Sequence, residues 1–127
     1  MMAATDWTAF DETLPSNLIK GASLISGIYD LEPIRFTSIN DAVGLDIDSA
    51  RRNSPVYLRP TMKGPLLIPV GRLESSEFQR QSREIAVAWG ALEPRLMVID
   101  GCHHYNILLE LTDSRSSLYE ATMEMLR

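Results

Sequence analysis

Two apolar runs, separated by a segment with helical periodicity, constrain the fold of this chain most. The runs cover 65–70 and 95–100, and each is followed by a glycine, Gly71 or Gly101. Between them, apolar and small side chains recur at the spacing of one helix face: Phe78, Ser82, Ile85, Ala86 and Trp89. A strand, a helix and a second strand with short connections pair in parallel through a right-handed crossover. The sequence therefore predicts an α/β fold.

The remaining elements extend this pattern. A mostly apolar run between Gly21 and Gly27 predicts a third buried strand near 21–27. Ser76, followed three residues later by Gln79, fits a capping box and predicts the start of the middle helix. A final helix is expected to begin at Asp113 or Ser114, with one apolar face formed by Leu118, Thr122, Met125 and Leu126. We expect about three parallel strands with flanking helices.

Two segments are less regular. Residues 1–10 are interpreted as the last turn or two of a helix that lacks its beginning, because no capping residue precedes Met1. Residues 31–60 are rich in Asp, Asn, Ser and Pro and predict a long loop-rich excursion with one short helix near 48–52. The whole chain, 1–127, is predicted to be one partial α/β domain whose first strand would expose an apolar edge.

Composition excludes several functional classes. With 12 Lys and Arg against 17 Asp and Glu, the net charge of -5 gives no electrostatic reason to bind nucleic acid or an acidic membrane. No apolar stretch approaches the length that spans a bilayer, and the N-terminus has no signal-peptide pattern. The single Cys102 can form neither an internal disulfide nor a metal framework. We expect a cytoplasmic protein without a cofactor.

Two candidate site residues follow the two clearest strands. Glu74 comes just after the strand at 65–70, and His104 comes just after the strand at 95–100. Loops at the carboxyl ends of parallel strands carry working groups in such sheets. Histidine suits proton transfer near neutrality and needs a carboxylate to orient it. An acid followed by a histidine is also the chain order of the second half of a hydrolase triad.

Each candidate also has a structural interpretation. Glu74 can interact with the positive end of the following helix, and His104 can be an ordinary hydrogen-bonded loop residue. The adjacent His103 raises the question of a metal, but no H-E-x-x-H motif or cysteine cluster supports one. A nucleophile elbow is missing: the nearest string, 21–25, lacks the second glycine and lies within a predicted strand. The chain therefore predicts the acid and base of an active site without its nucleophile.

Several short motifs stand along the chain in a characteristic order. They are S-G-I-Y-D-L-E-P-I at 26–34, Asn40, N-S-P at 53–55, V-G-R-L-E-S-S-E-F-Q-R-Q-S at 70–82 and G-C-H-H-Y at 101–105. Together they resemble the C-terminal half of the kynurenine formamidase (arylformamidase) group of α/β-hydrolases. The resemblance covers nearly the whole chain, and its most specific part is the run from Gly71 through S-E-F-x-R-Q-S.

The resemblance implies roles and a reaction. Glu74 takes the position of the triad acid, where relatives often have Asp, and His104 takes that of the general base. His103 stands where many relatives carry Asp or Asn. The H-G-G oxyanion segment and the G-x-S-x-G serine would lie before Met1, so the N-terminal half of the sheet would be missing. The implied reaction is hydrolysis of N-formyl-L-kynurenine to formate and kynurenine, in tryptophan breakdown, and the same machinery cleaves small aryl or alkyl esters.

Three hypotheses follow. In the first, the chain is part of a serine hydrolase whose nucleophile lies in a missing N-terminal half or in a partner chain that covers the first strand edge; the chain alone is then inactive. In the second, it is a non-catalytic binding or assembly module, stable as a monomer or homodimer. In the third, it is an active enzyme with an unrecognised nucleophile such as Ser26 or Cys102. We favour the first, because loss of a triad serine lowers the rate by several orders of magnitude.

Overall fold

The computed structural model describes residues 1–127 and contains a three-stranded sheet. Strands β1 (Ala22–Ser23), β2 (Leu66–Gly71) and β3 (Arg95–Ile99) lie in that order, and both pairs are parallel. The register places Leu66 beside Ala22 and Ile68 beside Leu96. The predicted parallel sheet with flanking helices is confirmed, and β2 is its central strand.

Five α-helices accompany the sheet. They are α1 (Trp7–Phe10), α2 (Asn40–Val43), α3 (Ile47–Arg52), α4 (Ser76–Ala88) and α5 (Ser117–Met125). Short 3-10 helices cover Met2–Ala4, Glu32–Phe36, Pro55–Tyr57, Gly90–Leu92 and Ile107–Thr112. None of the helices combines the length and the apolar composition that crossing a membrane requires.

The core lies on both faces of β2. All six residues of this strand are buried, and successive side chains point to opposite faces of the sheet. Leu66 and Ile68 pack in a cluster with Ile85 and Trp89 of the α4 region. Leu67 packs in a second cluster with Met97, Ile99, Cys102, Ile107, Leu118 and Ala121, on the side of α5. One helix therefore covers each face of the central strand, as a buried parallel sheet requires.

Strand β1 is shorter than the predicted 21–27. Its backbone still follows β2 beyond Ser23, because the N–H of Leu24 donates to the carbonyl of Leu67 (2.8 Å) and that of Ser26 donates to the carbonyl of Pro69 (2.9 Å). In a regular parallel ladder the amide at position 69 would donate to the carbonyl of Leu24, but proline has no N–H. The hydroxyl of Tyr29 donates to that carbonyl instead, at 2.7 Å. A proline in the neighbouring strand thus interrupts the ladder.

The N-terminal prediction was wrong. Residues 1–10 do not form the end of a longer helix, because α1 has its own start at Asp6. The Asp6 carboxylate accepts from the N–H groups of Thr8 and Ala9, both at 3.1 Å, which is the geometry of an N-cap. The Thr8 hydroxyl also donates to this carboxylate, at 2.8 Å, and its hydrogen bond lowers the pKa of Asp6 most, followed by that from the N–H of Ala9.

Three further boundaries differ from the sequence predictions. The excursion at 31–60 holds the predicted short helix as α3, and in addition a second α-helix and two 3-10 helices that were not predicted. Helix α4 is capped by Ser75, not Ser76, and Gln79 donates to backbone carbonyls instead of closing a capping box. Helix α5 begins after Ser116, because a 3-10 helix occupies Ile107–Thr112 and the Ser116 hydroxyl accepts from the N–H of Tyr119 at 3.0 Å.

Candidate active site

The loop after β2 places Glu74 against the loop after β3. The N–H of Arg72 donates to the carbonyl of Ile99, and the N–H of Leu73 donates to that of Cys102, both at 2.9 Å. Gly71 is needed at this junction, because a Cβ there would overlap the carbonyl of Cys102. Two backbone hydrogen bonds and one glycine therefore fix the distance between the two loops.

Helix α4 holds the Glu74 turn from the other side. The side-chain amide of Gln79 donates to the carbonyls of Arg72 (3.1 Å) and Glu74 (3.2 Å). Glu77, in the first turn of the helix, pairs with Arg80 at 2.6 Å. The hydrogen bonds from Arg80 and then Gln81 lower the pKa of Glu77 to about 2. Glu77 thus forms a surface ion pair, and Glu74 is the carboxylate that turns inward.

The loop after β3 is a tight turn built around its own side chains. Gly101 has a φ of 72°, in the region that favours glycine. Asn106 accepts from the N–H of His103 at 2.6 Å and donates to the carbonyl of Gly101 at 3.3 Å. The His103 ring nitrogen Nδ1 accepts from the N–H of Tyr105 at 3.1 Å. His103 therefore shapes the turn, while His104 projects toward Glu74.

Glu74 and His104 form a direct pair. Nδ1 of His104 lies 3.1 Å from Oε2 of Glu74. The Glu74 side chain has no solvent exposure, whereas that of His104 is 47% exposed. The imidazole packs on Phe78 with ring centroids 4.6 Å apart, and Tyr105 meets it edge-on at 5.6 Å. A buried carboxylate on Nδ1 leaves Nε2 as the nitrogen that can exchange a proton with an outside group.

Sequence reasoning missed the two groups that hold the other oxygen of Glu74. Oε1 accepts from the N–H of Gly71 at 2.8 Å and from the hydroxyl of Ser26, which comes from the loop after β1. Ser26 and Glu74 are 48 residues apart, and no local signal connects them. Ser26 lies inside the predicted strand at 21–27, and only the structure, in which β1 ends at Ser23, places it in the loop after that strand.

Neither of the two alternative nucleophiles, Ser26 and Cys102, is an activated group that could pass its proton to Nε2 of His104. The Ser26 hydroxyl is buried and donates to the carboxylate of Glu74. Cys102 is buried among apolar side chains, and this burial, followed by the negative charge of Glu110, raises the pKa of its thiol. A protonated, buried thiol is a poor nucleophile. No three His, Cys, Asp or Glu side chains gather as a metal site.

No family model matches this chain. It is 33% identical to kynurenine formamidase of Salmo salar and 32% identical to that of Danio rerio, in both cases over 99% of its own length. It spans 45% and 44% of those two proteins and matches their C-terminal part. Its fold is similar to that of a proposed thioesterase from Silicibacter sp. TM1040, with a TM-score of 0.76 and 28% identity over 86% of this chain and 42% of the other. This likeness fits the C-terminal part of an α/β-hydrolase.

Proposed function

We propose that this chain supplies the acid and the general base of a hydrolase site of the formamidase or esterase type, and that the nucleophile lies outside its 127 residues. One observation carries the proposal: the buried Glu74 carboxylate lies 3.1 Å from Nδ1 of a half-exposed His104, on loops that follow adjacent parallel strands. The similarity to kynurenine formamidases supports the choice of reaction.

The proposed chemistry follows the serine hydrolase sequence of steps. Nε2 of His104 takes the proton of a serine hydroxyl as its oxygen attacks the formyl carbon of an N-formyl aryl amide. Glu74 stabilises the imidazolium through Nδ1. The C–N bond then breaks, the imidazolium gives its proton to the leaving amine, and the formyl group stays on the serine. Water, deprotonated by the same histidine, attacks the formyl ester; the bond to the serine oxygen breaks, the imidazolium returns its proton to that oxygen, and formate is released.

The proposed substrate is N-formyl-L-kynurenine, an N-formyl aryl amide, because the chain is similar to kynurenine formamidases. A second candidate is hydrolysis of small esters, which the similarity to a proposed thioesterase favours. The acid and base would act in the same way on either substrate, because both reactions transfer an acyl group to the nucleophile. The two candidates therefore differ in the groups that bind the substrate.

We also propose that a further strand covers the free edge of β1 in the active protein. This strand lies at the edge of the sheet, so one side of its backbone has no neighbouring strand to pair with. An apolar cavity of about 480 Å³ beside it is lined by Met1, Ile19, Ala22 and Ile28, among others. The N-terminal part of the relatives, which this chain does not match, is the occupant we propose. A second copy of the chain would cover the edge without supplying a nucleophile.

A chimera tests the reaction. The part of the Salmo salar protein that precedes the matched region is fused to residues 1–127, and turnover of N-formyl-L-kynurenine and of p-nitrophenyl acetate is measured. We expect turnover by the chimera and none by the 127-residue chain alone. His104→Ala and Glu74→Gln should each lower kcat by roughly 10³-fold or more, since the groups act as a unit.

Two matched variants serve as controls. Arg83→Ala removes an exposed guanidinium of α4, and Glu120→Gln removes an exposed carboxylate of α5; both should keep turnover within about threefold of the parent, as for surface changes outside a site. A folded chimera without turnover on either substrate would contradict the proposal. Turnover by the chain alone that His104→Ala abolishes would show that the nucleophile lies within this sequence.

A further inference from the structure

The two oxygens of the Glu74 carboxylate have different partners. Oε2 faces Nδ1 of His104, whereas Oε1 accepts from the N–H of Gly71 and from the Ser26 hydroxyl. Gly71 belongs to the same turn as Glu74, so its bond fixes the carboxylate only relative to its own loop. Ser26 comes from the loop after β1 and ties the carboxylate to the neighbouring strand.

The backbone of Ser26 is unusual. Its φ is 46°, in the left-handed region where residues other than glycine are uncommon. Glycine would adopt this conformation without the steric cost of a Cβ. A strained residue that keeps its side chain points to a role for that side chain. Here the side chain is a buried hydroxyl whose acceptor is the carboxylate beside His104.

The surrounding structure holds Ser26 in this conformation. Its N–H donates to the carbonyl of Pro69 at 2.9 Å. The Tyr29 hydroxyl accepts from the N–H of Gly27 at 3.1 Å, which folds the phenol back over the residue after Ser26. The side chain of Gln81 then accepts from the N–H groups of Tyr29 (2.6 Å) and Asp30 (2.9 Å). Helix α4 therefore anchors the loop that carries Ser26.

We propose that Ser26 is a positioning residue: its hydroxyl fixes Oε1 of Glu74 so that Oε2 stays directed at Nδ1 of His104. It acts through Glu74 and does not contact the reacting atoms. With two donors on Oε1 from different loops, the carboxylate cannot rotate away from the imidazole, and His104 keeps its proton on Nδ1 and its lone pair on Nε2. The inference concerns the site of the proposed function, but its test needs no turnover.

The test reads the imidazole directly. The full chain is labelled with ¹⁵N-histidine, and the nitrogen chemical shifts of His104 report which nitrogen carries the proton at mildly alkaline pH. We expect the wild-type chain to hold the Nδ1–H form. Ser26→Ala and Ser26→Gly should both move the ratio of the two neutral forms toward Nε2–H, by on the order of tenfold, the size of a lost hydrogen bond to a charged group. Ser23→Ala is the matched control, because its buried hydroxyl has no partner, and it should keep the wild-type ratio.

The glycine variant separates the two roles that Ser26 could have. Ser26→Gly removes the hydroxyl and also relieves the backbone strain, so it should fold even if Ser26→Ala does not. A wild-type ratio in Ser26→Gly would overturn the proposal, because the residue would then serve only the backbone. An altered ratio in Ser26→Gly, with Ser23→Ala unchanged, would support it.

The outcome is also independent of the chimera assay. A changed ratio together with an inactive chimera would support positioning and contradict the proposed reaction. An active chimera with an unchanged ratio would overturn positioning alone. In an active chimera, Ser26→Gly should lower kcat by about tenfold and leave KM within about twofold, since Glu74 acts on the proton transfer and not on substrate binding.

Discussion

The strongest prediction for stability concerns Gln81, which joins α4 to the loop that carries Ser26. This residue is 3% exposed, and its side chain makes four hydrogen bonds. It accepts from the N–H groups of Tyr29 and Asp30, and it donates to the carbonyl of Asp30 (3.1 Å) and to Glu77 (2.8 Å). Gln81→Ala would leave the three backbone groups of Tyr29 and Asp30 without these partners.

The expected loss follows from the burial of those groups. Tyr29 is 5% exposed, so its N–H would have no access to water, and an unsatisfied buried donor costs roughly 1–3 kcal/mol. The two Asp30 groups are half-buried and regain water in part, at roughly 0.5 kcal/mol each. The free energy of unfolding should therefore fall by about 3 kcal/mol. With a urea m-value of about 2 kcal/mol/M, the unfolding midpoint would fall by about 1.5 M.

The assay is urea unfolding followed by tryptophan fluorescence, to which Trp89 contributes as a buried indole that donates to the carbonyl of Leu58 at 2.9 Å. Arg83→Ala, on the exposed side of the same helix, is the control and should change the free energy of unfolding by less than about 0.5 kcal/mol. Hydrogen exchange at the amides of Tyr29 and Asp30 should accelerate only in Gln81→Ala. If Gln81→Ala lowers the free energy of unfolding no more than Arg83→Ala does, at an unchanged m-value, the stabilising role of the Gln81 hydrogen bonds is refuted.

Two further predictions test the loops around the site. In urea unfolding, Gly71→Ala should lower the free energy of unfolding by roughly 3 kcal/mol, because the added Cβ must displace the Cys102 carbonyl. Gly90→Ala is the control: its Cβ meets no atom within 4 Å, so the change should be neutral or slightly stabilising. Equal effects of the two substitutions would contradict the close approach of Gly71 to Cys102. Burial raises the pKa of Tyr29 from 10.0 to about 12, so its stabilising contribution is complete below pH 10 and is lost as the pH rises toward 12. The free energy of unfolding of the wild type, measured in urea relative to that of Tyr29→Phe, should therefore fall by on the order of 2–3 kcal/mol between pH 10 and pH 12. Parallel curves of this free energy against pH for the two proteins would contradict the prediction.

Local signals predicted the parts of this fold that depend on local sequence. The apolar runs ending at Gly71 and Gly101 predicted β2 and β3 to within a residue, because fully buried parallel strands need continuous apolar side chains. The same reasoning pointed to Glu74 and His104, and the structure places them together. Their roles as acid and base stay predictions.

Contacts between distant residues decided what local patterns could not. The length of β1 depends on Pro69 in another strand, so its apolar run alone predicted too long an element. The hydrogen bond from Ser26 to Glu74 joins two loops that meet only after the sheet has formed. In α1 the error was different: residues 1–10 were assigned to the end of a longer helix, although Asp6 accepts from the N–H groups of Thr8 and Ala9 and caps a helix that begins at Trp7.

The Tyr29 hydroxyl replaces the backbone donor that Pro69 lacks, and this replacement affects the order in which the two residues can change during evolution. The carbonyl of Leu24 receives its hydrogen bond from the phenol because the proline cannot supply it. Replacing Pro69 by valine would supply the missing amide, so that the carbonyl of Leu24 would no longer depend on the phenol for its donor. Losing the phenol first would leave that carbonyl unsatisfied. A lineage should therefore substitute position 69 before position 29, and intermediates of the opposite order should be rare among its descendants.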